Sequence, residues 1–398
     1  MTAPLSGFRI VDATNFVFGP VATQLLGDMG ADVIKVEPPD GDPTRRIGAS
    51  RSPLMGSFFL NLNRNKRSVV LDLKQAAGQE AMHRLLGTAD VFIHNMRGAA
   101  ATKLGISYDQ LREAYPRLVY AAAQGFGAGG RYRDRPAYDD VIQGLSGISG
   151  LHERMHGVAS YAPMLMTDKL CGVFMAYAVA TALLHRERTG RGQEVQVPMF
   201  ESMVAFNLYD HMADAVLAPA GPGDKAAPLG YARVLGSLHR PLATQDGYIC
   251  VLANTDAQWR RLLALLGRAD LIDDPRFASI TSRMAHVDAL YGEVEAALRT
   301  RPTDAWFALL EQADIPAAPS NDLQALRNDP HLADVDFFVS HDHESEGPLQ
   351  FTGLPIAMSD SPGAIRLGPP RLGQHTVAIL QELGYGDEAI AAMTPHAV

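Results

Sequence analysis

Cysteine is scarce in this chain, whose 398 residues include only Cys171 and Cys250. Two cysteines cannot build a disulfide framework, and these two lack the partner spacing of a zinc site. We therefore interpret Cys171 as a small buried hydrophobic residue rather than a nucleophile. This usage is typical of a reducing compartment, and we expect a cytoplasmic protein.

Positive charge is also in short supply. The chain has 35 Lys and Arg against 44 Asp and Glu, a formal net charge of −9. General nucleic-acid binding needs a basic face for the phosphates, so we expect no nucleic-acid partner. A net negative charge still allows one small basic pocket for a phosphorylated cofactor.

Long apolar runs are missing as well. Residues 173–184 are too few to cross a bilayer, and no uninterrupted apolar run approaches about 18 residues. Residues 1–6 have no basic segment followed by an apolar core, so the sequence predicts no signal peptide. We expect neither a membrane span nor a membrane partner.

The first third of the chain instead shows a regular alternation of strands and helices. Apolar patterning predicts strands at residues 8–12, 31–37, 67–73, 90–94 and 118–122, and helices at residues 20–29, 76–86 and 108–114. Such alternation predicts an α/β fold in which helices cover both faces of a parallel sheet. The layer resembles a Rossmann-type fold, although no Gly-x-Gly-x-x-Gly follows the first strand.

Length and composition predict two domains. Residues 217–230 are rich in Ala, Pro and Gly, with Gly221-Pro222-Gly223 at the centre, and read as a linker. Residues 231–329 follow as a smaller α/β domain, with a strand at 247–252 and helices at 257–266, at 287–298 and around Trp306. The large domain then combines residues 1–216 and 330–398. We expect residues 340–370 to be mainly loop and a final helix at 374–383 to return to the large domain.

Asp168 opens an apolar helical run that ends at the Arg- and Gly-rich residues 186–193. A carboxylate at a helix start lies near unpaired backbone N–H groups and the positive end of the dipole, so we expect it to stay ionised and fixed. The ordinary alternative is an N-cap role, because Asp is among the preferred N-cap residues.

Several motifs, in a fixed order, occur along essentially the whole chain. They are residues 14–20 and 28–37, Gly41-Asp42-Pro43-Thr44-Arg45, Asn63-Arg64-Asn65-Lys66-Arg67-Ser68, Asp72-Leu73-Lys74, residues 89–95, Arg135-Pro136-Ala137-Tyr138-Asp139, residues 143–147, Arg188-Thr189-Gly190-Arg191-Gly192-Gln193, residues 315–319 and Leu372-Gly373-Gln374-His375-Thr376. The ordered set resembles the family III CoA-transferases, which include the 2-methylacyl-CoA racemases. Each motif alone is weak, but the set is specific.

The resemblance implies that Asp168 is the nucleophile, since the family's aspartate precedes a Gly-containing helix upstream of the Arg-x-Arg-Thr-Gly-x-Gly-Gln turn. It implies a Rossmann-like large domain from both chain ends and a smaller α/β domain, in an interlocked homodimer. The implied reaction moves CoA from an acyl-CoA to a small organic acid, with a dicarboxylate as one candidate. Coenzyme A is then a substrate, and no metal is expected.

The resemblance places further residues near the nucleophile. Asp139 matches an acidic position of the transferases, although a turn residue after Pro136 is an equal alternative. The other expected neighbours are Tyr138, Asn15, Val17 and Phe18. Phe16 and Phe18 either line an acyl pocket or pack under the following helix, and we favour packing.

CoA carries a diphosphate and a 3′-phosphate, so its site needs cations. By the resemblance, Asn95 and Met96 lie along the CoA and Lys103 occupies a basic position. Other candidate cations are Arg97, Arg64, Lys66 and Arg45, for each of which a solvated surface role is the alternative. Backbone N–H groups of the turn at residues 124–127 are candidate oxyanion donors.

Two alternative functions stay open. A racemase would need a histidine where this chain has Tyr138, and a phenol of pKa about 10 is a poor proton shuttle at neutral pH. A non-catalytic CoA-binding protein would not need Asp168. His152 and His156 follow Gly150 in a predicted loop, and no third ligand is placed beside them, so we expect no metal site.

Overall fold

The computed structural model describes residues 2–219, 221, 224–236 and 238–394. The chain forms two compact units. The first comprises Met1–Gly147, Tyr161–Phe206 and Asp334–Val398, and the second comprises Ile148–Ser160 and Asn207–Ala333.

The secondary structure begins with alternating strands and helices. Up to residue 147 the elements are β1 (Arg9–Ala13), α1 (Phe18–Asp28), β2 (Asp32–Glu37), α2 (Ser57–Leu62), β3 (Lys66–Val70), α3 (Ala76–Leu86), β4 (Val91–His94), α4 (Gly98–Lys103), α5 (Tyr108–Leu111), β5 (Val119–Gln124) and α6 (Asp139–Leu145). The next are α7 (Ile148–His156), α8 (Met166–Thr189), β6 (Glu194–Pro198) and α9 (Met199–His211).

Short strands and helices follow. They are β7 (Leu242–Ala243), β8 (Tyr248–Val251), α10 (Asp256–Leu265), α11 (Ile280–Ala285), α12 (Val287–Leu298), α13 (Thr303–Gln312), β9 (Ala317–Pro319) and α14 (Pro330–Asp334). The last are β10 (Phe338–His343), β11 (Gly347–Thr352), α15 (Thr376–Glu382) and α16 (Asp387–Met393).

The first unit is built on a six-stranded parallel sheet in the order β3-β2-β1-β4-β5-β6. Its central strands are apolar on both faces, as in Ile10, Val11, Phe92 and Ile93, all fully buried. Helices must therefore cover both faces. The α/β fold with a parallel sheet is confirmed, and the strand order reverses between β1 and β4. At such a reversal a crevice opens at the carboxyl ends of the strands.

The C-terminal helices pack on this sheet unit. Ile379 and Leu380 of α15 and Ile390 of α16 share an apolar core with Met82 and Leu85 of α3. The final helix therefore lies in the first unit. The prediction of loop at residues 340–370 was wrong in part, because β10 and β11 form an antiparallel hairpin there. Its short polar strands show little of the apolar alternation that predicts a strand.

Helix α8 is long enough and apolar enough to span a membrane by composition, and it is the one such helix among the described residues. A core helix meets the same criteria, and α8 packs against α1 and α6 and against two strands of the sheet. It ends at Gly190, whose φ of 76° is the left-handed conformation of a helix C-terminus.

The second unit contains the antiparallel sheet β7-β8-β9 and helices α10 to α13. Trp306 lies in its core, where the indole N–H donates to the Leu298 carbonyl at 2.7 Å. Residues 148–160 and 207–216 also fall in this unit, since Arg154 and His211 contact the backbone near Gly230. Of the predicted linker at 217–230, Ala220, Pro222 and Gly223 lie outside the described residues.

Candidate active site

A cleft of about 210 Å³ opens where the strand order of the parallel sheet reverses. Its walls come from the residues that follow four strands: Asn15 after β1, Asn95 after β4, Gln124 and Gly125 at the end of β5, and Met199 after β6. This is the crevice expected for ligands in open α/β sheets.

Asn15 and Asn95 join the loops on the two sides of the reversal. The Asn95 Nδ2 group donates to the backbone oxygen and to Oδ1 of Asn15, each at 3.0 Å. The Asn15 backbone N–H donates in return to Asn95 Oδ1 at 3.3 Å. Both predicted residues therefore line the cleft in a fixed relation.

Asp168 lies in the first turn of α8, and its side chain lines the cleft. Close packing of α8 on α1 positions that turn. A Cβ added to Gly172 would lie 2.7 Å from Val21 Cγ1 and 3.0 Å from the Phe18 carbonyl oxygen. Glycine is therefore needed one turn after Asp168 for the two helices to approach this closely.

Asp139 holds the first turn of α8 in place through hydrogen bonds to its carboxylate. It is 4% exposed, and its Oδ1 accepts hydrogen bonds from Thr167 Oγ1 at 2.7 Å and from the Asp168 backbone N–H at 3.0 Å. Its Oδ2 accepts from Gln143 Nε2 at 2.5 Å. Asp139 thus satisfies the helix start that the N-cap alternative assigned to Asp168, whose own side chain makes no capping bond.

Burial, together with the nearby charges of Asp139 and Asp140, raises the pKa of Asp168 from 3.8 to about 7. No cation of the described part of the chain forms an ion pair with it. The expectation that the helix start keeps Asp168 fully ionised was wrong, because desolvation and like charge outweigh the helix end. Cys171, one turn on, is buried with a pKa raised to about 12, as expected for a packing residue.

Three guanidinium groups surround the cleft. Arg97 precedes α4, and Arg133 and Arg135 lie on the loop before α6. The Arg135 guanidinium lies 3.9 Å from the ring centroid of Tyr132, a cation–π contact. Sequence analysis did not single out Arg133 and Arg135, although Arg135 begins one of the quoted motifs. Met96 also lines the cleft, whereas Lys103 is exposed at the end of α4, outside it.

Three of the proposed phosphate ligands are buried instead. Arg45 pairs with Glu37 at 2.7 Å, Arg64 with Asp28 at 2.7 Å and Lys66 with Asp12 at 3.1 Å. We revise their assignment, because their charges are neutralised inside the unit and none lines the cleft. The buried ion-pair cluster, as we call it, comprises Asp12, Lys35, Glu37, Asp42, Arg45 and Lys66.

The loop between β1 and α1 contributes two aromatic rings. Phe18, 5% exposed, both packs at the start of α1 and lines the cleft. Phe16 also lines it and meets Tyr138 edge to face, with ring centroids 5.9 Å apart. Val17 is buried and is not among the lining residues, so it supports the loop rather than facing the cleft.

The candidate oxyanion donors are partly occupied. The Gly127 backbone N–H donates to Glu201 Oε1 at 2.9 Å, so it is taken by a carboxylate. Gln124 and Gly125 remain in the cleft wall. A charged acceptor at Gly127 makes that N–H a structural bond rather than a free donor.

The predicted loop at His152 and His156 is instead the helix α7, and His152 Nδ1 lies 3.0 Å from Ser160 Oγ. Among the described residues, no group of three His, Cys, Asp or Glu side chains could hold a metal ion. A larger cavity, of about 470 Å³, lies in the second unit. Its Arg240 already pairs with Glu295 at 2.9 Å, and its walls are mainly apolar, so we place the reactive site in the first unit.

Comparison with known proteins covers nearly the full chain. Residues 5–376 match the model of CoA-transferase family III. A succinate–glutarate CoA-transferase of Agrobacterium fabrum is 33% identical over 96% of this chain and 96% of its own. A formyl-CoA:oxalate CoA-transferase of Escherichia coli O157:H7 is 30% identical over the full length of both chains. The crystal structure of Rv3272 from Mycobacterium tuberculosis, named a probable fatty acyl-CoA transferase, matches with a TM-score of 0.82 and 32% identity over 95% of this chain and 99% of that one.

Proposed function

The chain belongs to CoA-transferase family III, and from this premise we propose that Asp168 is the nucleophile of the transfer. The observation that carries the proposal is a partly buried carboxylate in a switch-point cleft, with no ion pair to a cation of the described residues and a pKa of about 7. Strongly perturbed pKa values of this kind cluster at reactive sites.

The reaction proceeds in two symmetrical halves. A carboxylate oxygen of Asp168 attacks the thioester carbonyl of the donor, the C–S bond breaks, and CoA leaves as a thiolate. The thiolate attacks the aspartyl carbonyl of the mixed anhydride, releasing the donor acid and forming an aspartyl-CoA thioester. The acceptor carboxylate then attacks that thioester, which releases the thiolate and forms a second mixed anhydride. The thiolate attacks the acyl carbonyl of this anhydride, forming the new acyl-CoA, and the Asp168 carboxylate leaves. Each half exchanges one acyl bond for another, so the balance requires no redox step and no net proton.

The surroundings of Asp168 suit this role. A poorly solvated carboxylate is a stronger nucleophile than one in water, and a site shielded from water protects an anhydride from hydrolysis. Because the pKa is about 7, a substantial fraction is ionised at neutral pH. Asp139 holds the backbone of Asp168, so it acts as a positioning residue.

CoA binding belongs, in this proposal, to the first unit, which differs from the large domain predicted at residues 1–216 and 330–398 because residues 148–160, 207–216 and 330–333 fall in the second unit. Asn95, Met96 and Arg97 line the cleft beside Asp168 and would lie along the CoA. Lys103, exposed five residues after Gly98, and the guanidinium groups of Arg133 and Arg135 supply the positive charge that phosphates need.

The acceptor is a small organic acid, and a dicarboxylate is one candidate. Relatives of similar identity are named for succinate and glutarate, for oxalate, and for fatty acyl groups, so identity alone does not choose among them. A cleft guanidinium group that the CoA phosphates leave free would pair with a second carboxylate of the acid.

A racemase is the alternative, and the described lining of the cleft contains no histidine. His94 lies behind it, where burial lowers its pKa to about 4. Its Nδ1 accepts from the Met96 N–H and its Nε2 contacts the Tyr120 hydroxyl at 2.7 Å. Both ring nitrogens are therefore engaged away from a substrate, which favours transfer over racemisation.

We also propose a homodimer. Val173, Tyr177 and Leu184 of α8 are 51%, 69% and 51% exposed, and they share one side of the helix. Exposed apolar groups on one side of a helix are typical of an interface. Light scattering should give the mass of two chains, and the mass of one chain would contradict the proposal.

Trapping of the intermediate tests the nucleophile. With acyl-CoA present, hydroxylamine should label the peptide that contains Asp168, and mass mapping should find the label on that residue. Asp168→Asn should lower CoA transfer between two acids by about 10³-fold or more. Asp109→Asn, a change at an exposed aspartate of α5, is the matched control and should transfer normally.

Three results would overturn the assignment. The first is full transfer by Asp168→Asn, and the second is a label on another residue. The third is rapid solvent-deuterium entry at Cα of a 2-methylacyl-CoA without any acceptor acid, which would establish the racemase instead.

A further inference from the structure

We propose that Phe16 is a specificity-determining residue, whose ring forms with Tyr138 an aromatic wall that restricts the acyl group on Asp168 to short, unbranched acids. The inference rests on the proposed function, since it concerns the acid that Asp168 accepts. It goes beyond that function by assigning the limit on acid size to one side chain.

Phe16 has an unusual backbone conformation. Its φ of 64° lies in the left-handed region, which disfavours residues with a bulky side chain. Such conformations persist only where the surrounding structure holds them, and they cluster at functional sites. The chain therefore keeps a phenylalanine where glycine or asparagine would fit more easily.

The buried ion-pair cluster holds this loop from beneath. Lys35 Nζ donates to the Thr14 carbonyl at 2.9 Å and pairs with Asp42 Oδ2 at 2.9 Å. Asp42 Oδ1 accepts the Phe16 backbone N–H at 3.4 Å. Lys35 and Asp42 are almost fully buried, so the backbone on both sides of Phe16 is anchored to the sheet.

The neighbouring asparagine pair holds the loop from its other side. Asn15 is bonded to Asn95 through three hydrogen bonds, and α1 begins directly after Val17. The backbone of Phe16 is therefore held on both sides, and its ring contacts Tyr138. Phe18, by contrast, is 5% exposed, so Phe16 presents the more accessible ring.

Tyr138, whose ring contacts Phe16, lies in the same segment as Asp139, which holds the backbone of Asp168. Tyr138 directly precedes Asp139 in the chain. The Phe16 and Tyr138 rings meet at 82° with centroids 5.9 Å apart, an edge-to-face contact. Both rings and Asp168 line the same cleft, so the proposal places a group bonded to Asp168 in the space that the rings border.

The cleft is small for this purpose. Its volume is about 210 Å³, whereas small-molecule sites usually measure about 300–1,000 Å³. The thiol end of CoA must share that space with the acid. In this proposal a short unbranched acid makes the smaller demand on that space, and a longer or branched chain meets the Phe16 ring.

Phe16→Gly is the sharpest variant, because glycine adopts a positive φ without strain while removing the ring. With acetyl-CoA as donor, we compare kcat/KM for octanoate and for acetate as acceptors. The octanoate-to-acetate ratio should rise at least about tenfold in Phe16→Gly, with isobutyrate gaining in the same direction. Tyr138→Ala should raise the ratio by a smaller factor.

Leu54→Gly is the matched control. Leu54 also has a positive φ, of 60°, but lies outside the cleft lining, so its variant should keep the wild-type ratio. Phe16→Asn, which also tolerates the left-handed region, provides a second variant should Phe16→Gly fold poorly. An unchanged ratio in folded Phe16 variants would overturn the proposal.

A binding measurement separates this proposal from the transfer function. S-ethyl-CoA and S-octyl-CoA are thioethers, so the enzyme cannot transfer their alkyl groups. Their affinities therefore measure how the Phe16 and Tyr138 rings restrict chain length, without any turnover. The wild type should prefer S-ethyl-CoA, and Phe16→Gly should shift the affinity ratio toward S-octyl-CoA by at least about tenfold. If transfer is absent but this shift occurs, the proposed function fails and the wall stands; if transfer occurs without the shift, the wall fails.

Discussion

Two groups of buried carboxylates in the first unit have pKa values that move in opposite directions. In the buried ion-pair cluster, burial raises the pKa of Asp12, but the charges of Lys66 and Lys35 and two hydroxyl donors outweigh it and bring it to about 2. At the cleft, burial raises the pKa of Asp168 as well, and its charged neighbours, Asp139 and Asp140, push the same way.

The difference shows that pairing, rather than burial, decides what a carboxylate does here. Asp12, Glu37 and Asp42 have cationic partners and serve the fold. Within the described part of the chain Asp168 has no cationic partner, and its pKa is raised to about 7. A buried charge without a partner costs stability, which is a common feature of reactive sites.

Removing a cation from the paired group should have the largest effect on stability. Lys66→Met leaves Asp12 with less compensation, because the Lys66 ammonium lies 3.1 Å from Asp12 Oδ2 and both are fully buried. We expect a loss of about 3–5 kcal/mol in the free energy of unfolding, measured by denaturant titration. Lys74→Met, an exposed control, should change it by less than about 0.5 kcal/mol. Equal losses in the two variants would contradict the comparison.

Removing the unpaired carboxylate of Asp168 should raise the free energy of unfolding rather than lower it. The pKa of Asp168 is raised from 3.8 to about 7, so the folded state binds the proton more tightly than the unfolded state. Its destabilising effect is absent below pH about 4, grows as pH rises toward 7, and is complete above it. Asp168→Asn should therefore be no more stable than wild type at pH 4 and more stable at pH 8, by up to about 4 kcal/mol.

Thermal or denaturant unfolding across this pH range measures the difference. Asp109→Asn should show no comparable trend, since that aspartate is exposed. A stability gain for Asp168→Asn that is the same at pH 4 and pH 8 would mean that the carboxyl pKa is not raised.

Removing the charge of Asp139 or Asp140 should have the smallest effect, a shift in the pH dependence of kcat/KM. Asp140→Asn removes a repulsive charge, so the pKa of Asp168 falls and the acidic limb of kcat/KM moves to lower pH. Asp139→Asn should move the limb further, because Asp139 is the larger of the two charge effects, and it should also lower kcat by disturbing the hydrogen bonds that hold α8. Identical pH profiles in all three proteins would contradict the role assigned to these charges.

The sequence predicted the elements of the sheet unit well because their signals are local. Residues 76–86 were predicted as a helix and form α3 with the same ends, and in the second unit residues 287–298 form α12 as predicted. The hairpin β10–β11 escaped prediction, since β10 is largely polar and the apolar alternation of β11 is only a few residues long. His152 and His156 were assigned to a loop because Gly147 and Gly150 interrupt the helical pattern there.

At the candidate site, the sequence alone also did not show which basic residues are buried and which line the cleft. Arg45, Arg64 and Lys66 occur in polar motifs that look solvent-exposed in one dimension, yet the fold buries each beside an acid of another strand or helix. Arg133 and Arg135 look like an ordinary charged loop, and only the folded chain brings them beside Asp168.

By itself, the sequence determined the α/β alternation and the family, and it selected Asp168, because periodicity and ordered motifs are written along the chain. The tertiary structure alone decided which charges are neutralised and which stay unpaired. Ion pairing and desolvation depend on distances between segments far apart in the chain, such as Asp12 and Lys66 or Asp139 and Asp168.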